Sequence, residues 1–364
     1  MSTRVLVLFG GRSSEHQVSC MSARWVLANI DRSRYEVITV GLTREGRWTL
    51  LDGVPDTPPE VLPSVPDDGP TVALVATRKG ARLLTVAEDG SCTELGGVDV
   101  CFPVLHGPYG EDGTVQGLLA SYGVPYVGAD VASSAVGVDK RQMKNVFKAR
   151  GLPLVPYLAV RRHTWDADRG PVLDDVETAL RYPVFTKPIR QGSSIGIRRA
   201  GNRVELIAGI EEAFTYDRVV LVEEGVEGGL REIECGVLGN SEIQVTRPGE
   251  TVHVGAFYDF DAKYLSPVEL RCPADIPADV AERCMEYARE AYLAIGARGM
   301  ARVDFFHTAD GRLLLNEINT IPGLTPQSMF PAVWAAEGVD GPALVDRLLS
   351  LALRTARATQ CYSP

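Results

Sequence analysis

Several features that would quickly assign a protein to a class are missing from this chain. Its seven cysteines occur singly, without a Cys-x-x-Cys pair or a metal-type spacing, which is typical of a reduced cytoplasmic protein. The N-terminal apolar run, residues 5–9, is too short for a signal peptide or a membrane-spanning helix. There is no Walker A sequence, and the glycines at 10 and 11 do not spell a dinucleotide-binding fingerprint. We therefore expect a cytoplasmic protein that is neither a P-loop nucleotidase nor a nicotinamide-dependent dehydrogenase.

Lysine is also scarce, and acidic residues outnumber basic ones, 47 to 37. The 364 residues carry a formal net charge of −10, and lysine occurs at only six positions, 79, 140, 144, 148, 187 and 263. We expect neither nucleic acid nor an anionic membrane as a partner of so acidic a chain. With 45% hydrophobic and 23% charged residues the composition is that of an ordinary globular protein, and the length predicts two or three domains. Local basic groups must hold any phosphate-bearing ligand, so a lysine within a motif is informative.

The most informative stretch lies between residues 299 and 328. Two strand-like segments, 301–307 and 312–320, flank Asp310-Gly311, a dipeptide typical of a hairpin turn. If those two residues form the turn, counting outward gives the register, and side chains alternate between the two faces. One face then carries two opposed polar pairs, Arg302 with Asn319 and Asp304 with Glu317. The other face carries apolar residues, namely Val303, Phe305, Leu314 and Ile318.

This register predicts a metal site. Opposed side chains in an antiparallel pair lie about 4.5–5.5 Å apart at Cβ, so Asp304 and Glu317 repel each other unless a positive charge lies between them. With the carbonyl of Asn319 they form an all-oxygen set suited to Mg2+. The alternative is a solvent-facing hairpin edge with scattered charges, and a three-residue turn would break the register. Thr325-Pro326 suits the start of a helix, whose N-terminus favours anions, so a phosphate–metal site is predicted here.

The N-terminal part has the pattern of an open parallel α/β sheet. An apolar run, a Gly-Gly turn and a helical segment follow one another from residue 5, and a second strand is predicted at 35–42. A serine at 13 or 14 can cap the helix, which puts Glu15 and His16 in its first turn. That is the sheet edge where such folds bind ligands. Alternatively, Glu15 simply complements the helix dipole.

A second ligand-edge loop follows the strand predicted at 98–105. It contains His106, three glycines and two acids, and a helix is predicted from Thr114 to residue 121. His106 either binds a ligand or holds the loop through a structural hydrogen bond, and the sequence leaves both alternatives open. Residues 51–70, rich in proline and aspartate, are predicted to form a loop without a core.

The character of the chain changes beyond residue 135. A basic amphipathic helix is predicted at 138–151, and most of its charge is interpreted as a solvated face. A strand at 183–187 leads into a glycine- and serine-rich segment and then more strand, which favours a flap between antiparallel strands, although an ordinary turn is the alternative. Further predicted elements are a loop at 161–171, strands at 219–224 and 232–238, an aromatic lid loop at 256–266 and helices at 277–296 and 341–358.

Seven motifs now stand in order along the chain: GGRSSEHQVS, HGPYGEDGTVQGLL, VDK, FTKPIRQGSSIGI, REIECGVLGN, YDFDAKYL and RVDFF with LNEINTIPGLTPQS. The set resembles the D-alanine–D-alanine ligases of the ATP-grasp superfamily. The match extends from Arg4 to about Leu353 and is interrupted mainly at 51–70. Each motif alone is modest, but seven in this order over most of the chain are specific.

The resemblance implies a fold and a reaction. The fold is an N-terminal open parallel α/β domain at 1–135, a central ATP-grasp subdomain with a phosphate flap at 136–228, and a C-terminal ATP-grasp subdomain with the lid and metal site at 229–364. The reaction is ATP-dependent ligation of two D-alanines through an acyl phosphate, for peptidoglycan precursor synthesis. A relative that uses D-serine or D-lactate as second substrate is the alternative. Two Mg2+ ions, replaceable by Mn2+, activation by a monovalent cation, and a homodimer are also implied.

The resemblance further implies a role for each matching residue. Glu15 is implied to bind the ammonium of the first D-alanine, with His106 beside it, and Ser193 and Tyr264 are implied to link to Glu15. Arg302 and the Gly323 N–H are implied at the oxyanion. Ser328 and the Met329 backbone are implied at the second carboxylate. At ATP, Lys140, Lys187 and Lys263 are implied at the phosphates, together with Ser193 and Ser194 in the flap. Glu223 and the Val226 backbone are implied at adenine, and Glu232 at the ribose. Phe306 and Asn316 complete the implied ATP-binding residues. The implied metal ligands are Asp304, Glu317 and Asn319.

Two details bear on specificity. Family members that make D-alanyl-D-lactate tend to lack the Lys-Tyr pair of the lid, and Lys263-Tyr264 is intact here, so we expect an amide product. Thr186 stands where valine is usual, and Arg190-Gln191 in the flap also departs from the commonest pattern; both are expected to tune nucleotide affinity or the second substrate. An inactive nucleotide-binding regulator would have lost metal or phosphate ligands, and this chain retains them.

Overall fold

The computed structural model describes residues 2–58, 60–226, 228–252 and 269–360. These residues form a first sheet near the N-terminus and two antiparallel sheets after it, joined by helices. None of the described helices is long and apolar enough to cross a bilayer. The helices are α1 (His16–Asn29), α2 (Thr114–Ser121), α3 (Val131–Val138), α4 (Lys140–Ala149), α5 (Arg162–Ala167), α6 (Arg169–Ala179), α7 (Arg203–Ala213), α8 (Ala278–Ala294), α9 (Met329–Ala336) and α10 (Gly341–Gln360).

The first sheet has the strand order β6-β5-β4-β3-β2-β1-β7. The α/β class is confirmed, but only β1 pairs in parallel, with β2 and β7, and the remaining neighbours are antiparallel. The sheet is therefore mixed, because short turns join β4 to β5 and β5 to β6 and a tight hairpin can only return antiparallel. Its strands are β1 (Thr3–Gly10), β2 (Tyr35–Leu42), β3 (Trp48–Leu51), β4 (Thr71–Thr77), β5 (Gly80–Val86), β6 (Cys92–Gly97) and β7 (Val100–Val104).

The second sheet has the order β10-β9-β11-β8 and is antiparallel throughout. Residues 188–197 connect β9 to its neighbour β10, as predicted for the flap. The loop predicted at 161–171 is wrong, because α5 and the start of α6 occupy it. Asp168 caps α6 by accepting a hydrogen bond from the Gly170 N–H, and Trp165 is buried in the core of this sheet. The strands are β8 (Tyr157–Arg161), β9 (Val184–Pro188), β10 (Arg198–Ala200) and β11 (Val219–Glu224).

The third sheet has the order β15-β14-β12-β16-β17, with β13 also paired to β12. Buried side chains of α4 and α8 pack against its central strands, so α4 lies beside the predicted metal-binding hairpin. A separate core joins β1 and β7 of the first sheet to α10, so the end of the chain packs on its beginning. The strands are β12 (Arg231–Gly239), β13 (Ile243–Val245), β14 (Gly249–Val252), β15 (Glu269–Arg271), β16 (Gly299–His307) and β17 (Leu313–Asn319).

The register of the β16–β17 hairpin agrees with the prediction at the polar pairs, for a reason that the sequence did not reveal. Arg302 lies opposite Asn319 and Asp304 opposite Glu317, as counted. The turn, however, is one residue longer than predicted, since the Thr308 N–H donates to the Arg312 carbonyl. A bulge between Asp304 and Phe305 then restores the count.

The same bulge corrects one face assignment. Leu315, not Leu314, pairs with Phe305 and joins the core, whereas Leu314 pairs with Phe306 on the opposite face. A bulge inserts one unpaired residue into the β17 strand, so residues on its two sides alternate out of phase. The prediction for Val303, Phe305 and Ile318 is confirmed.

Asp139 fixes the start of α4, the helix that carries Lys140. Its carboxylate accepts hydrogen bonds from the backbone N–H groups of Arg141 and Gln142, at 3.1 and 2.9 Å. We expect Asp139→Ala to weaken this helix start by about 0.5–2 kcal/mol and to speed amide hydrogen exchange in 140–149. Asn202→Ala, which removes the equivalent cap of α7, should speed exchange in 203–213 instead. Unchanged exchange in both helices would contradict the capping roles.

Candidate active site

A pocket lies where elements of all three sheets meet. It is lined by the loop after β1, the loop after β7, the start of α4, the flap, and the β16–β17 hairpin with the segment after it. The predicted site residues among its lining are Glu15, His106, Lys140, Ser193, Arg302, Glu317, Asn319 and Gly323. Residues that lie up to about 300 positions apart in the chain thus face one another.

Glu15 lies buried at the wall of this pocket, with 7% of its surface exposed. It is the residue before α1, not part of its first turn, and its N–H donates to the Ser13 hydroxyl at 2.9 Å. A Cβ on Gly107 or on Gly192 would come within 2.8 or 2.7 Å of its carboxylate oxygens. The carboxylate is therefore enclosed between the loop after β7 and the flap, at the wall of the pocket.

His106 is 4% exposed and holds three parts of the chain together. Its Nδ1 lies 3.1 Å from the Ile321 carbonyl and 3.4 Å from Glu111, both acceptors, so this nitrogen carries a hydrogen. Its Nε2 lies 2.9 Å from the Ser22 hydroxyl. Burial lowers the pKa of His106, but the carboxylates of Glu111 and Glu15 outweigh it, and the pKa lies above its ordinary value. His106 has a structural role here, and its place in the pocket wall leaves the binding role as a prediction.

The flap is held against Glu15. Ser193 donates a 2.5 Å hydrogen bond to a Glu15 oxygen, and the serines at 193 and 194 have φ of +48° and +58°, a conformation rarely adopted by residues other than glycine. Lys140 donates to the Gln191 carbonyl at 2.9 Å. Arg190, which departs from the usual flap sequence, pairs with both oxygens of Asp217 at 3.0 and 2.8 Å. The flap therefore lies over the pocket, and its first half is anchored at Arg190 and at Ser193.

Arg302 is placed between two carboxylates. Its guanidinium donates to both oxygens of Asp304 at 2.7 and 2.6 Å, and its Nε lies 2.5 Å from Glu234. Glu234 lies directly opposite Asp304 on β12 and also accepts from Thr251. Burial raises the pKa of Asp304 to about 7, and the nearby Glu234 and Glu317 add to that rise against the effect of Arg302. The cluster has more negative than positive charge.

The predicted metal ligands meet within this cluster. Asn319 donates from its amide nitrogen to Asp304 at 2.9 Å, and Glu317 lies 3.4 Å from the Lys140 ammonium. Within the described ranges, no three His, Cys, Asp or Glu side chains are grouped to hold a metal ion, and the predicted set supplies two carboxylates and an amide. Oxygen donors and surplus negative charge suit a hard divalent cation, so the residues fit Mg2+.

The predicted nucleotide phosphate and adenine groups lie together beside α4. Lys187 on β9 forms an ion pair with Glu223 on β11, and the second Glu223 oxygen lies 2.6 Å from Lys144. Burial would raise the pKa of Glu223, but the two lysines hold it at about 2. Val226 follows this strand, and Glu232, Phe306 and Asn316 lie half-buried on the adjoining third sheet.

The remaining predicted residues lie elsewhere. Ser328 accepts a hydrogen bond from the Thr325 N–H at 3.1 Å, and a Cβ on Gly323 would meet its hydroxyl at 2.9 Å, so Ser328 adjoins the pocket wall. The helix predicted from Thr325-Pro326 is wrong, because α9 begins at Met329 after a turn. Ser194 is exposed. Lys263, Tyr264 and the predicted lid at 256–266 lie outside the described residues.

Two residues of this site were not assigned from the sequence. Glu234 was noticed only as one of the alternating acids of its strand, and its position opposite Asp304 requires knowledge of the β12–β16 pairing. Lys144 was interpreted as part of a solvated face but is 1% exposed. A signal did exist for Lys144, since it recurs four residues after Lys140, on the same face of the helix.

Comparison with known proteins agrees with this geometry. Residues 4–129 match the family model described as D-ala D-ala ligase N-terminus, and residues 146–350 match the one described as D-ala D-ala ligase C-terminus. The chain belongs to the D-alanine–D-alanine ligase family. The two matches together include every predicted site residue of the described ranges except Lys140, which falls between them.

Relatives in this family cover nearly the whole chain. It is 48% identical to the D-alanine–D-alanine ligase of Kineococcus radiotolerans, over 96% of each chain. It is 47% identical to that of Pseudarthrobacter chlorophenolicus, over 96% of this chain and 94% of the relative.

Solved structures show the same fold. The D-alanine–D-alanine ligase of Coxiella burnetii has a TM-score of 0.84 at 31% identity, covering 99% of this chain and 97% of its own. The VanG D-Ala:D-Ser ligase of Enterococcus faecalis has a TM-score of 0.80 at 34% identity, covering 96% and 99%. The family thus includes members with different second substrates.

The hydrogen bond between Ser193 and Glu15 should determine how firmly the flap is held against the pocket wall. We expect Ser193→Ala to speed trypsin cleavage at Arg190 in the flap, and at Arg198 and Arg199 directly after it, about tenfold or more, because a buried bond to a charged acceptor is lost. Ser194→Ala, a change at the neighbouring exposed serine, is the matched control and should leave the rate unchanged. Peptide mass spectrometry of timed digests measures both rates. Equal cleavage of Ser193→Ala and the unaltered chain would show that the bond does not hold the flap.

Proposed function

We propose that this chain joins two D-alanine molecules to D-alanyl-D-alanine at the expense of ATP, for peptidoglycan precursor synthesis. The observation that carries the proposal is the pocket itself. Its lining includes the Glu15 carboxylate, which can take an ammonium group, and Arg302, Glu317 and Asn319 of the cluster with Asp304, which suits phosphate and metal. Family membership over nearly the whole chain supports it.

The reaction explains why these residue types are needed. A carboxylate does not react with an amine until it has a leaving group, so the first D-alanine carboxylate attacks the γ-phosphorus of ATP, giving an acyl phosphate and ADP. The amine of the second D-alanine then attacks the acyl carbon, and inorganic phosphate leaves. The attacking amine must have lost a proton before or during this step. Such phosphoryl transfer depends on positioning and charge neutralisation more than on a protein nucleophile.

The roles proposed for these residues are those that the family resemblance implies, and the positions of the residues at the pocket support them. Glu15 takes the ammonium of the first D-alanine, and Arg302 with the Gly323 N–H faces the oxyanion that forms at the acyl carbon, where one preorganised donor is commonly worth about 3–4 kcal/mol. Lys140 and Lys187 hold ATP phosphates. Asp304, Glu317 and Asn319 would hold Mg2+, which supplies charge neutralisation at the phosphates.

Arg302 needs a second anchor in this scheme. In the structure it is bound to both Asp304 and Glu234. If Asp304 were to hold Mg2+, Glu234 would still bind the guanidinium and keep it oriented towards the acyl carbon. Glu234 is thus assigned as the residue that positions Arg302.

Water must be kept away from the acyl phosphate, which hydrolyses readily. The flap, fixed by Ser193 to Glu15 and by Arg190 to Asp217, closes one side of the pocket. For the remaining residues we propose the roles that the family resemblance implies; these are Ser194, Val226, Glu232, Lys263, Tyr264, Phe306, Asn316, Ser328 and Met329. We also propose a cytoplasmic homodimer, two Mg2+ ions replaceable by Mn2+, activation by a monovalent cation, and the three-domain division at 1–135, 136–228 and 229–364.

A second candidate is ligation of D-alanine to D-serine. It is favoured by the similarity to the VanG D-Ala:D-Ser ligase, at 34% identity and a TM-score of 0.80. The higher identity to D-alanine–D-alanine ligases makes it the second choice.

The deciding experiment measures ADP release with ATP and Mg2+. D-alanine is offered alone, then with D-serine or D-lactate, and each product is weighed by mass spectrometry. We expect D-alanine-dependent ADP release and D-alanyl-D-alanine as the main product in every mixture. Preferential formation of D-alanyl-D-serine would support the second candidate, and D-alanyl-D-lactate would identify a depsipeptide ligase. Absence of D-alanine-dependent ADP release would refute the proposal.

Glu317 offers a direct test of the metal assignment. We expect Glu317→Ala to abolish ADP release, because one of two metal carboxylates is lost, while the circular dichroism spectrum stays that of the unaltered chain. Glu94→Ala, at an exposed edge strand of the first sheet, is the control and should retain full activity. Full activity in Glu317→Ala would remove the metal assignment.

A further inference from the structure

Lys144 is a buried charge that the proposed mechanism does not use. Only 1% of the residue is exposed, and it is among the largest fully buried side chains of the described residues. Its ammonium lies 2.6 Å from Glu223 Oε1 and 5.5 Å from the centre of the Tyr157 ring. Burying an ammonium is costly unless it is paired, so a lysine in this position needs a specific partner. Lys148, one turn further along the same helix, is exposed in the ordinary way.

Glu223 is shared between two lysines. Lys144 of α4 pairs with its Oε1, and Lys187 of β9 pairs with its Oε2. The carboxylate is 2% exposed, and each of its oxygens lies in an ion pair inside the protein; the contact of Oε1 with Lys144 is one of charge, without hydrogen-bond geometry. The three groups together carry one excess positive charge, which an anion such as a phosphate would balance.

The two lysines differ in what they can reach. The Lys187 side chain is 13% exposed, whereas that of Lys144 is 2% exposed. A ligand can therefore reach Lys187 more readily and draw it away from Glu223, whereas Lys144 is almost fully buried. The Glu223 carboxylate therefore keeps Lys144 as its partner when Lys187 moves away.

We propose that Lys144 is the positioning residue for adenine recognition by Glu223. When ATP binds, Lys187 turns to a phosphate and releases Oε2. Lys144 keeps Oε1, which fixes the plane of the carboxylate and preserves its charge, and Oε2 then accepts a hydrogen bond from the 6-amino group of adenine. This inference rests on the proposed function, in which adenine lies at Glu223.

The structure also says what is lost without Lys144. Glu223 would be left with Lys187 as its buried partner, so Lys187 would be held back from the phosphates and Oε2 from adenine. A hydrogen bond to a charged group is commonly worth about 10- to 100-fold in affinity. Loss of Lys144 should therefore act on the recognition of the amino group specifically, beyond any general weakening of nucleotide binding.

The test compares two nucleotides by isothermal titration calorimetry without D-alanine. One is ATP and the other is purine riboside triphosphate, which has hydrogen in place of the 6-amino group. We expect the unaltered chain to bind ATP about 10- to 100-fold more tightly, and Lys144→Met to reduce that ratio to near one. Lys148→Met, the same change at an exposed lysine of the same helix, should keep the full ratio. A full ratio in Lys144→Met, or a ratio near one in the unaltered chain, would overturn the proposal.

A second comparison applies even where Lys144→Met does not fold. Glu223→Gln and the double variant Lys144→Met/Glu223→Gln leave no unpaired buried carboxylate. If Lys144 acts through Glu223, both should show the same nucleotide ratio, because coupled changes are not additive. A further loss in the double variant would overturn the proposal. Since binding is measured without D-alanine, absence of D-alanine-dependent turnover would refute the proposed function and leave this test intact.

Discussion

The arrangement of this protein depends on the cost of removing charges from water. The pocket brings carboxylates, ammonium groups and a guanidinium together at the junction of three sheets, and each of them needs a partner of opposite sign. Arg302 lies between Glu234 and Asp304, and Glu223 lies between Lys144 and Lys187. In the proposed function, each trio holds one group that a substrate or a metal ion would bind and one that stays paired within the protein. The site is therefore ready for exchange of partners without leaving a buried charge unpaired.

This constraint also explains why the site is assembled from distant parts of the chain. One element cannot present charges of both signs towards a common point without pairing them locally. Glu15 comes from the first sheet, Ser193 from the flap of the second and Arg302 from the third. Closure of the flap on Glu15 therefore depends on how the first and second sheets are placed.

Much of the site could be predicted because its chemistry is carried by local patterns. The opposed pairs of the hairpin followed from alternation and turn chemistry, yet the count succeeded because two errors cancelled. The turn is one residue longer than counted, and a bulge between Asp304 and Phe305 compensates for the difference. No pattern in the sequence predicts that bulge. Loop and bulge must accordingly be gained or lost together, since either alone would turn Asp304 or Glu317 towards the core. Leu314 lies between the turn and the bulge, where the longer turn is not yet compensated, so the face predicted for it is wrong.

Other features could not be predicted because they depend on tertiary partners. Lys144 resembles the exposed lysines of its helix until Glu223 on β11 is known to lie against it. A loop was predicted at 161–171, whereas burial of Trp165 and the cap at Asp168 favour the helices that the structure has there. The antiparallel extension of the first sheet similarly depends on how short turns pair successive strands.

The packing of α10 on the first sheet has a consequence for synthesis of the chain. Leu344, Val345 and Leu348 share one core with Val7 and Phe9 of β1. A ribosome makes β1 long before this helix, so the part of the core that the helix covers stays exposed until the helix has emerged. The core of β1 is thus completed only by a helix made much later, and the nascent chain must be protected from aggregation during that interval.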